Sequence, residues 1–210
     1  MKSALLRILL LALLIPGVAI AESHEMVPPT VDEIRALYEG ESANWQPAPE
    51  LLLDAFVAAE DKNFRKQDVW RSVITRYLAR RFMTIETRGA ITTTAFSILL
   101  GRSLSHDEII DWYVHTIYLG LECYGIDSAA KAYFGKAPEA LTLEEAAYLA
   151  ALPMDPISLH PIDERERAIK RRNFVLKAML EAGVLTEDEA ARAQQADLVV
   201  IEPLQPCEKT

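Results

Sequence analysis

From Glu50 to Asp61 the chain is apolar on nearly every helical face, and only its far end, Glu60-Asp61-Lys62, is polar. A helix of that kind is buried on most sides, so the pattern predicts a central helix whose charged end surfaces where the chain turns. Pro49 suits a first helical position, where its missing N–H has no partner to lose. Downstream, helix starts are marked by Ser or Thr followed three residues later by Glu, a spacing in which each side chain satisfies the other's backbone donor. Ser105 with Glu108, Thr142 with Glu145 and Thr186 with Glu189 have it, and Asp163 with Glu166 is a weaker version. They predict helices over about 106–119, 143–152, 164–182 and 187–195, with Pro153 following the second and Gly183 placed to end the third. Two more helical stretches run over 72–81 and about 91–100, the latter weakened by the β-branched run Thr92-Thr93-Thr94. Only Leu198–Ile201 reads as a strand. Residues 22–48 carry little periodicity beyond Val31–Tyr38 and read as a leader packing on a domain that spans 49–197. Residues 198–210 form a tail, loose after Pro203, and no repeat or low-complexity segment interrupts the chain. The expected fold is a single, mainly α domain.

Composition adds compartment and charge. The 210 residues are half apolar, enough for one real core and too apolar for a disordered chain. Residues 1–21 have the plan of a secretory signal: Lys2 and Arg7, an apolar stretch to Ile15, a Pro16-Gly17 break and Ala19-Ile20-Ala21 as a small-x-small cleavage site. The alternative is an uncleaved N-terminal anchor. Without Lys2 and Arg7, 20 basic residues face 31 acidic ones, a net charge of −11. Bulk attraction to nucleic acid is excluded on that balance, and an anionic substrate has to be met by a local basic patch. Export would place Cys123 and Cys207 where a disulfide can form; a bridge and two free thiols both fit the sequence. The four histidines are scattered and no HExxH or CxxC spacing occurs, so no metal site is expected.

Three groups of residues can carry chemistry. Glu60, at the end of a buried helix, would be partly desolvated, which raises a carboxyl pKa and makes a better base; the bland alternative is a solvated helix end paired with Lys62 or Arg65. Arg71, Arg76, Arg80 and Arg81, with Arg88 beyond them, put two or three guanidiniums on one helical face, either as a phosphate clamp or as a solvated basic face. Tyr113–Gly120 and Tyr124–Lys136 have the spacing of core helices punctuated by turn glycines, and His115 reads as a packed or exposed histidine.

Taken in order, these blocks resemble the peptidoglycan glycosyltransferase domain, glycosyltransferase family 51, of class A penicillin-binding proteins and monofunctional biosynthetic transglycosylases. The family's Glu-Asp-x-x-Phe reads Glu60-Asp61-Lys62-Asn63-Phe64, with Gln67 and Val69 where a His and a Gly are usual. Its Gly-Gly-Ser-Thr-Ile-Thr-Gln-Gln reads Trp70-Arg71-Ser72-Val73-Ile74-Thr75-Arg76-Tyr77, and Leu-Ala-Lys-Asn reads Leu78-Ala79-Arg80-Arg81. The third motif, Arg-Lys-x-x-Glu, reads Arg88-Gly89-Ala90-Ile91-Thr92, so its glutamate is replaced by Thr92. Ile109–His115, Ile117–Gly120, Tyr124–Lys136, Leu141–Ala147 and Leu152–Pro156 then follow the family closely. The resemblance spans roughly 50–195, is strongest from 104 to 190, and is weak over 65–103, where the stretch between the first two motifs is also shortened.

The resemblance implies a lysozyme-like helical fold and, as substrate, lipid II, a disaccharide-peptide on undecaprenyl diphosphate. It implies Glu60 as general base on the acceptor hydroxyl and inversion at the donor carbon. Arg80 and Arg88 would hold the departing diphosphate, Ser72 and Thr75 would be supporting donors, and Asp61 and Phe64 would lie in the substrate site. No cofactor is required; some family members use a divalent cation, Mg or Mn, at the diphosphate. The implied partners are lipid II, the nascent glycan strand, the inner-membrane surface and cell-wall synthesis proteins, in the periplasm. Loss of the carboxylate at Thr92 sets a second reading beside this one, a catalytically impaired homologue that acts as a periplasmic binding or scaffold protein. A lytic transglycosylase ranks third.

Overall fold

The chain is described here by a computed structural model over residues 28–207; the expected signal and its cleavage site lie outside the described residues. At the centre is α2 (Glu50–Glu60), whose Leu52, Ala55, Phe56 and Ala58 are buried, as its all-round apolar pattern requires. It packs on α5 (His106–Thr116), α7 (Leu143–Ala151) and α8 (Arg165–Glu181), and α9 (Glu187–Gln195) closes that side against α8. On the other flank α3 (Val73–Ala79) packs on α4 (Ala90–Ser103) and α5, and α6 (Ile126–Phe134) bridges α5 to α7. The architecture is a mainly helical domain, and among the described residues no strand is formed.

Helix starts follow the sequence signals. The Ser105–Glu108, Thr142–Glu145 and Thr186–Glu189 boxes begin α5, α7 and α9. The Asp163–Glu166 expectation fails: α8 starts at Arg165 with no side-chain cap, and the Asp163 amide bonds His160 instead. The strand expected at Leu198–Ile201 is also absent. Leu198 is buried and the Ile201 amide donates to Tyr133 O at 2.9 Å, but no second strand lies alongside to complete a ladder.

Residues 31–42 are more ordered than their composition suggests. Thr30 and Glu33 form a further capping box that starts α1 (Val31–Ser42). α1 lies on α4 and buries Ile34. Arg35 donates to Glu108 at 2.9 Å and to Ser103 O, and that guanidinium holds the Glu108 carboxyl down to about 2. The chain then returns along α5, where Trp45 stacks on His115 with ring centroids 4.5 Å apart. The His115 ring is buried and both nitrogens face acceptors: Asp111 O at 2.8 Å and Gln46 O at 3.2 Å, with the Asp111 and Asp127 carboxylates at 3.3 and 3.7 Å. Two acceptors require two N–H donors, so this geometry suits the imidazolium. Burial pushes its pKa down, but the Asp111 hydrogen bonds and the charges of Asp111 and Asp127 outweigh that and leave it raised.

Beyond α5 the chain reverses through Gly120 to Gly125. Gly120, Leu121, Glu122 and Gly125 all have positive φ, and the Gly125 amide donates to Ile117 O at 2.9 Å. Cys123 in this turn is bridged to Cys207, so the tail is tied to the core, and the Cys207 amide donates to Leu121 O at 2.8 Å. Of the two options the sequence left open, the disulfide is the one formed.

Candidate functional site

The apolar run of α2 delivers Glu60 to a cleft of about 270 Å³. Its other walls are Val73, Arg76, Tyr77 and Arg80 from the α3 segment, Tyr113 and Ile117 from the end of α5, and Pro153. Glu60 is half-buried, and its carboxylate makes no hydrogen bond or ion pair among the described residues. Burial pushes its pKa up, and the charge of Arg171 on α8 opposes the rise without cancelling it. A carboxylate that is desolvated and unpartnered is a proton acceptor in waiting.

A second pocket of about 350 Å³ adjoins the first, and Arg76 and Arg80 line both. Arg88 and the first turn of α4, from Gly89 to Thr93, complete it, and no carboxylate is among its walls. The Arg88 guanidinium reaches the Arg80 carbonyl at 3.5 Å, which sets it beside that residue. Arg76 and Arg80 sit one helical turn apart on the same face. None of the three has a carboxylate within ion-pair distance among the described residues, whereas Arg81 pairs with Glu41 at 2.9 Å and Arg71 lies 3.6 Å from Asp68. The basic run therefore divides: Arg71 and Arg81 serve the fold, while Arg76, Arg80 and Arg88 share one groove. Unpaired guanidiniums at an α-helix start are suited to a phosphate-type anion.

Other expected site residues lie elsewhere. Phe64 is fully buried, edge-on to His106. Ser72 is fully buried and accepts from the Ile74 amide to start α3, and Thr75, equally buried, donates to Val69 O at 2.6 Å. Both residues are fully buried and neither lines the cleft or the arginine pocket. Asp61 accepts from the Asn63 amide and from Gln67 at 2.7 Å, which fixes the turn after α2, and it lines neither pocket. Thr92 accepts from the Gly89 amide at 2.9 Å and donates to Thr87 O at 2.8 Å, so its side chain is used to begin α4.

Sequence reasoning missed Tyr77, Tyr113 and Arg171. The first two have the spacing of core residues, and only the ending of α2 against them makes them cleft walls. Arg171 is half-buried beneath Phe174, its Nε buried without a partner, and nothing in a basic run distinguishes it from its neighbours. Ser128-Ala129-Ala130-Lys131 has the Ser-x-x-Lys spacing of acyl-transfer nucleophiles. Here the Ser128 hydroxyl donates to Tyr124 O at 2.6 Å and shapes the start of α6, away from both pockets. No His, Cys, Asp and Glu cluster that could hold a metal ion occurs among the described residues.

Comparison with known proteins places this chain in a family. A family model described as transglycosylase matches residues 71–180, a stretch that begins after Glu60 and includes the arginine pocket. Penicillin-binding protein 1A of Aquifex aeolicus is 36% identical over 176 residues, covering 72% of this chain and 24% of that protein. Penicillin-binding protein 1A of Escherichia coli is 34% identical over 165 residues, covering 67% and 19%. The crystal structure of penicillin-binding protein 1A from Haemophilus influenzae superposes with a TM-score of 0.51 at 28% identity, over 73% of this chain and 17% of that one. The chain thus spans about a quarter or less of the relatives it matches. With more than half of its residues inside the family match, the chain belongs to the transglycosylase family, glycosyltransferase family 51, whose domain it shares with penicillin-binding protein 1A.

Proposed function

We propose that this protein is a peptidoglycan glycosyltransferase that joins lipid II units into glycan strands. The supporting observation is the unpartnered Glu60 in a cleft whose wall is shared with the Arg76, Arg80 and Arg88 pocket. Glu60 takes the proton of the acceptor sugar hydroxyl, and the freed oxygen attacks the donor's anomeric carbon from the face opposite the leaving group, so configuration inverts. The diphosphate departs into the arginine pocket, where preorganised cations meet charge as it develops; removing one such donor typically costs about 3 kcal/mol of transition-state stabilisation. No cofactor is needed for these steps. The pocket lacks a carboxylate to ligate a divalent cation, so Mg or Mn would arrive with the diphosphate, and polymerisation with and without a chelator tests that.

The site of action is the outer face of the inner membrane, with residues 1–21 as export signal or anchor. Lipid II, the growing strand and other cell-wall synthesis proteins are the partners. Among the described residues no helix is long and apolar enough to cross a membrane.

A second reading, a scaffold or lipid II-binding protein of reduced activity, draws on Glu60 being the one carboxylate that lines either pocket and on Thr92 being committed to α4. Incubating the protein and Glu60→Gln with lipid II, with product length read on a gel, separates the two. Polymer that disappears with Glu60→Gln is the expected result, at low yield because the second carboxylate is missing. Lipid II binding without polymer favours the scaffold, and soluble anhydro-sugars released from sacculi would make the protein lytic.

A further inference from the structure

Tyr113 is a buried phenol whose hydroxyl has no hydrogen-bond partner among the described residues, although its residue is only 2% exposed. The other deeply buried tyrosines are satisfied: Tyr133 donates to Leu119 O and Tyr148 to Leu159 O, both at 2.9 Å. Its ring is fixed edge-on by Phe56 and by Tyr77, with centroids 6.2 and 5.3 Å away. Among the described residues the Arg171 Nε is the side-chain polar atom that is buried without a partner, so the Tyr113 hydroxyl opens on the cleft, on a ring held rigid by its neighbours, where an oxygen of a bound molecule can meet it. Tyr113 lines the same cleft as Glu60. Burial first, then the charge of Glu60, pushes the phenol well above its ordinary value, so it stays protonated and serves as a donor. The donor and the acceptor are both free and do not bond each other. Because both line one cleft, an oxygen bound there can give a proton to one and accept from the other.

We propose that Tyr113 is a second substrate-contacting residue, whose hydroxyl donates to the acceptor sugar's hydroxyl oxygen while Glu60 receives that hydroxyl's proton. This rests on the transferase reading for the identity of the oxygen. Tyr113 keeps its own proton throughout. The acceptor oxygen forms a bond to the donor's anomeric carbon, the bond from that carbon to the diphosphate oxygen breaks, and the electron pair leaves with the diphosphate. One lone pair of the acceptor oxygen is held by Tyr113 and the other is aimed at the reacting carbon, which is the orientation that in-line attack needs.

The test is Tyr113→Phe in the full chain, which keeps the ring and its edge contacts and should melt within a few degrees of the wild type. Lipid II polymerisation is expected to lose about tenfold in kcat/KM, the size of one hydrogen bond. The acid limb of the pH profile, set by Glu60, should not move. Titration with di-N-acetylchitobiose, followed by NMR, should show about tenfold weaker binding to the variant. Unchanged polymerisation together with unchanged disaccharide affinity would overturn the assignment. So would a displaced acid limb with unchanged disaccharide affinity, because Tyr113 would then be bonding Glu60 and not the sugar. If the wild type makes no polymer but its disaccharide affinity depends on Tyr113, the sugar contact stands and the transferase reading falls; if the wild type polymerises and Tyr113→Phe matches it in both assays, the reverse holds.

Discussion

Glu60 is half-buried and His115 buried, and their environments disfavour the charged form of the first and favour that of the second. Burial raises the Glu60 pKa, so its ionised form is the costly one. A carboxyl whose folded pKa lies above its unfolded value contributes stability below the unfolded pKa and loses it as pH rises through the folded one. Glu60→Gln should therefore melt at a higher temperature than the wild type at pH 8, with the gap closing as pH falls below about 5, while polymerisation is lost at every pH. Thermal melts across pH check the first half, and a variant less stable than the wild type at pH 8 contradicts it. In the proposed role of base Glu60 has to be ionised, so the wild-type rate should also fall on acidification with a midpoint above 4.5, the ordinary value for a glutamate. His115 is raised too, but as a cation, so its contribution is present below pH 6.5 and is lost as pH rises through its folded pKa. Since Gln46 O and the Trp45 ring rest on it, Trp45 emission should shift on alkaline titration, and His115→Gln should abolish that shift. The half-buried position of Glu60 is legible in the sequence because an apolar run ends on it. Tyr113 is not legible, because a tyrosine at helical spacing looks the same whether its hydroxyl meets a carbonyl or an open cleft.

At the scale of elements, caps are legible and tertiary uses of polar groups are not. Thr186–Glu189 could be read from four residues, and Thr186→Ala should cost about 1 kcal/mol by loss of the N-cap, measured by chemical denaturation. Arg172 carries no such mark. It stands on α8 beside other basic residues, yet it is fully buried and donates to Ala196 O at 2.8 Å and Gln194 O at 3.0 Å, closing the C-terminal end of α9. Leu198–Ile201 misled for a related reason: a short apolar run rich in β-branched residues forms a strand only if another strand lies beside it, and here the neighbour is the end of α6. The turn between α5 and α6 is the reverse case, where a local residue type reports a tertiary constraint. Gly125 has φ +82, and a Cβ there would lie 2.4 Å from His115 O. The contact is with backbone and cannot relax by a rotamer change. Gly125→Ala should cost about 3 kcal/mol from left-handed strain and overpacking together, and should also disturb Ile117, a wall of the Glu60 cleft.

Across the whole molecule, one groove of unpaired arginines sits in a chain of net charge −9. That contrast would make binding of the proposed anionic lipid diphosphate local and salt-dependent, and it is why composition alone spoke against nucleic acid but could not point to phosphate. The covalent organisation matters at the same scale. The Cys123–Cys207 bridge closes a loop with a sequence separation of 84, from the turn behind the cleft to the tail. Within that loop lie α6, α7, α8 and α9, the part of the chain that backs α2 and so holds Glu60 in place. The chain-entropy model assigns a loop of this size about 4.6 kcal/mol, with engineered cases often lower. Cys207→Ser should therefore lower stability by about 2–4 kcal/mol, read as a fall in the denaturation midpoint, and a reductant should reproduce the loss in the wild type but leave the variant unchanged. Because Cys207 also donates its amide to Leu121 in a turn of positive φ, the variant should show early hydrogen exchange at residues 119–125 before the helices open. A uniform loss of protection would instead mean that the bridge acts only on the unfolded chain, and that the turn holds its shape without the tail.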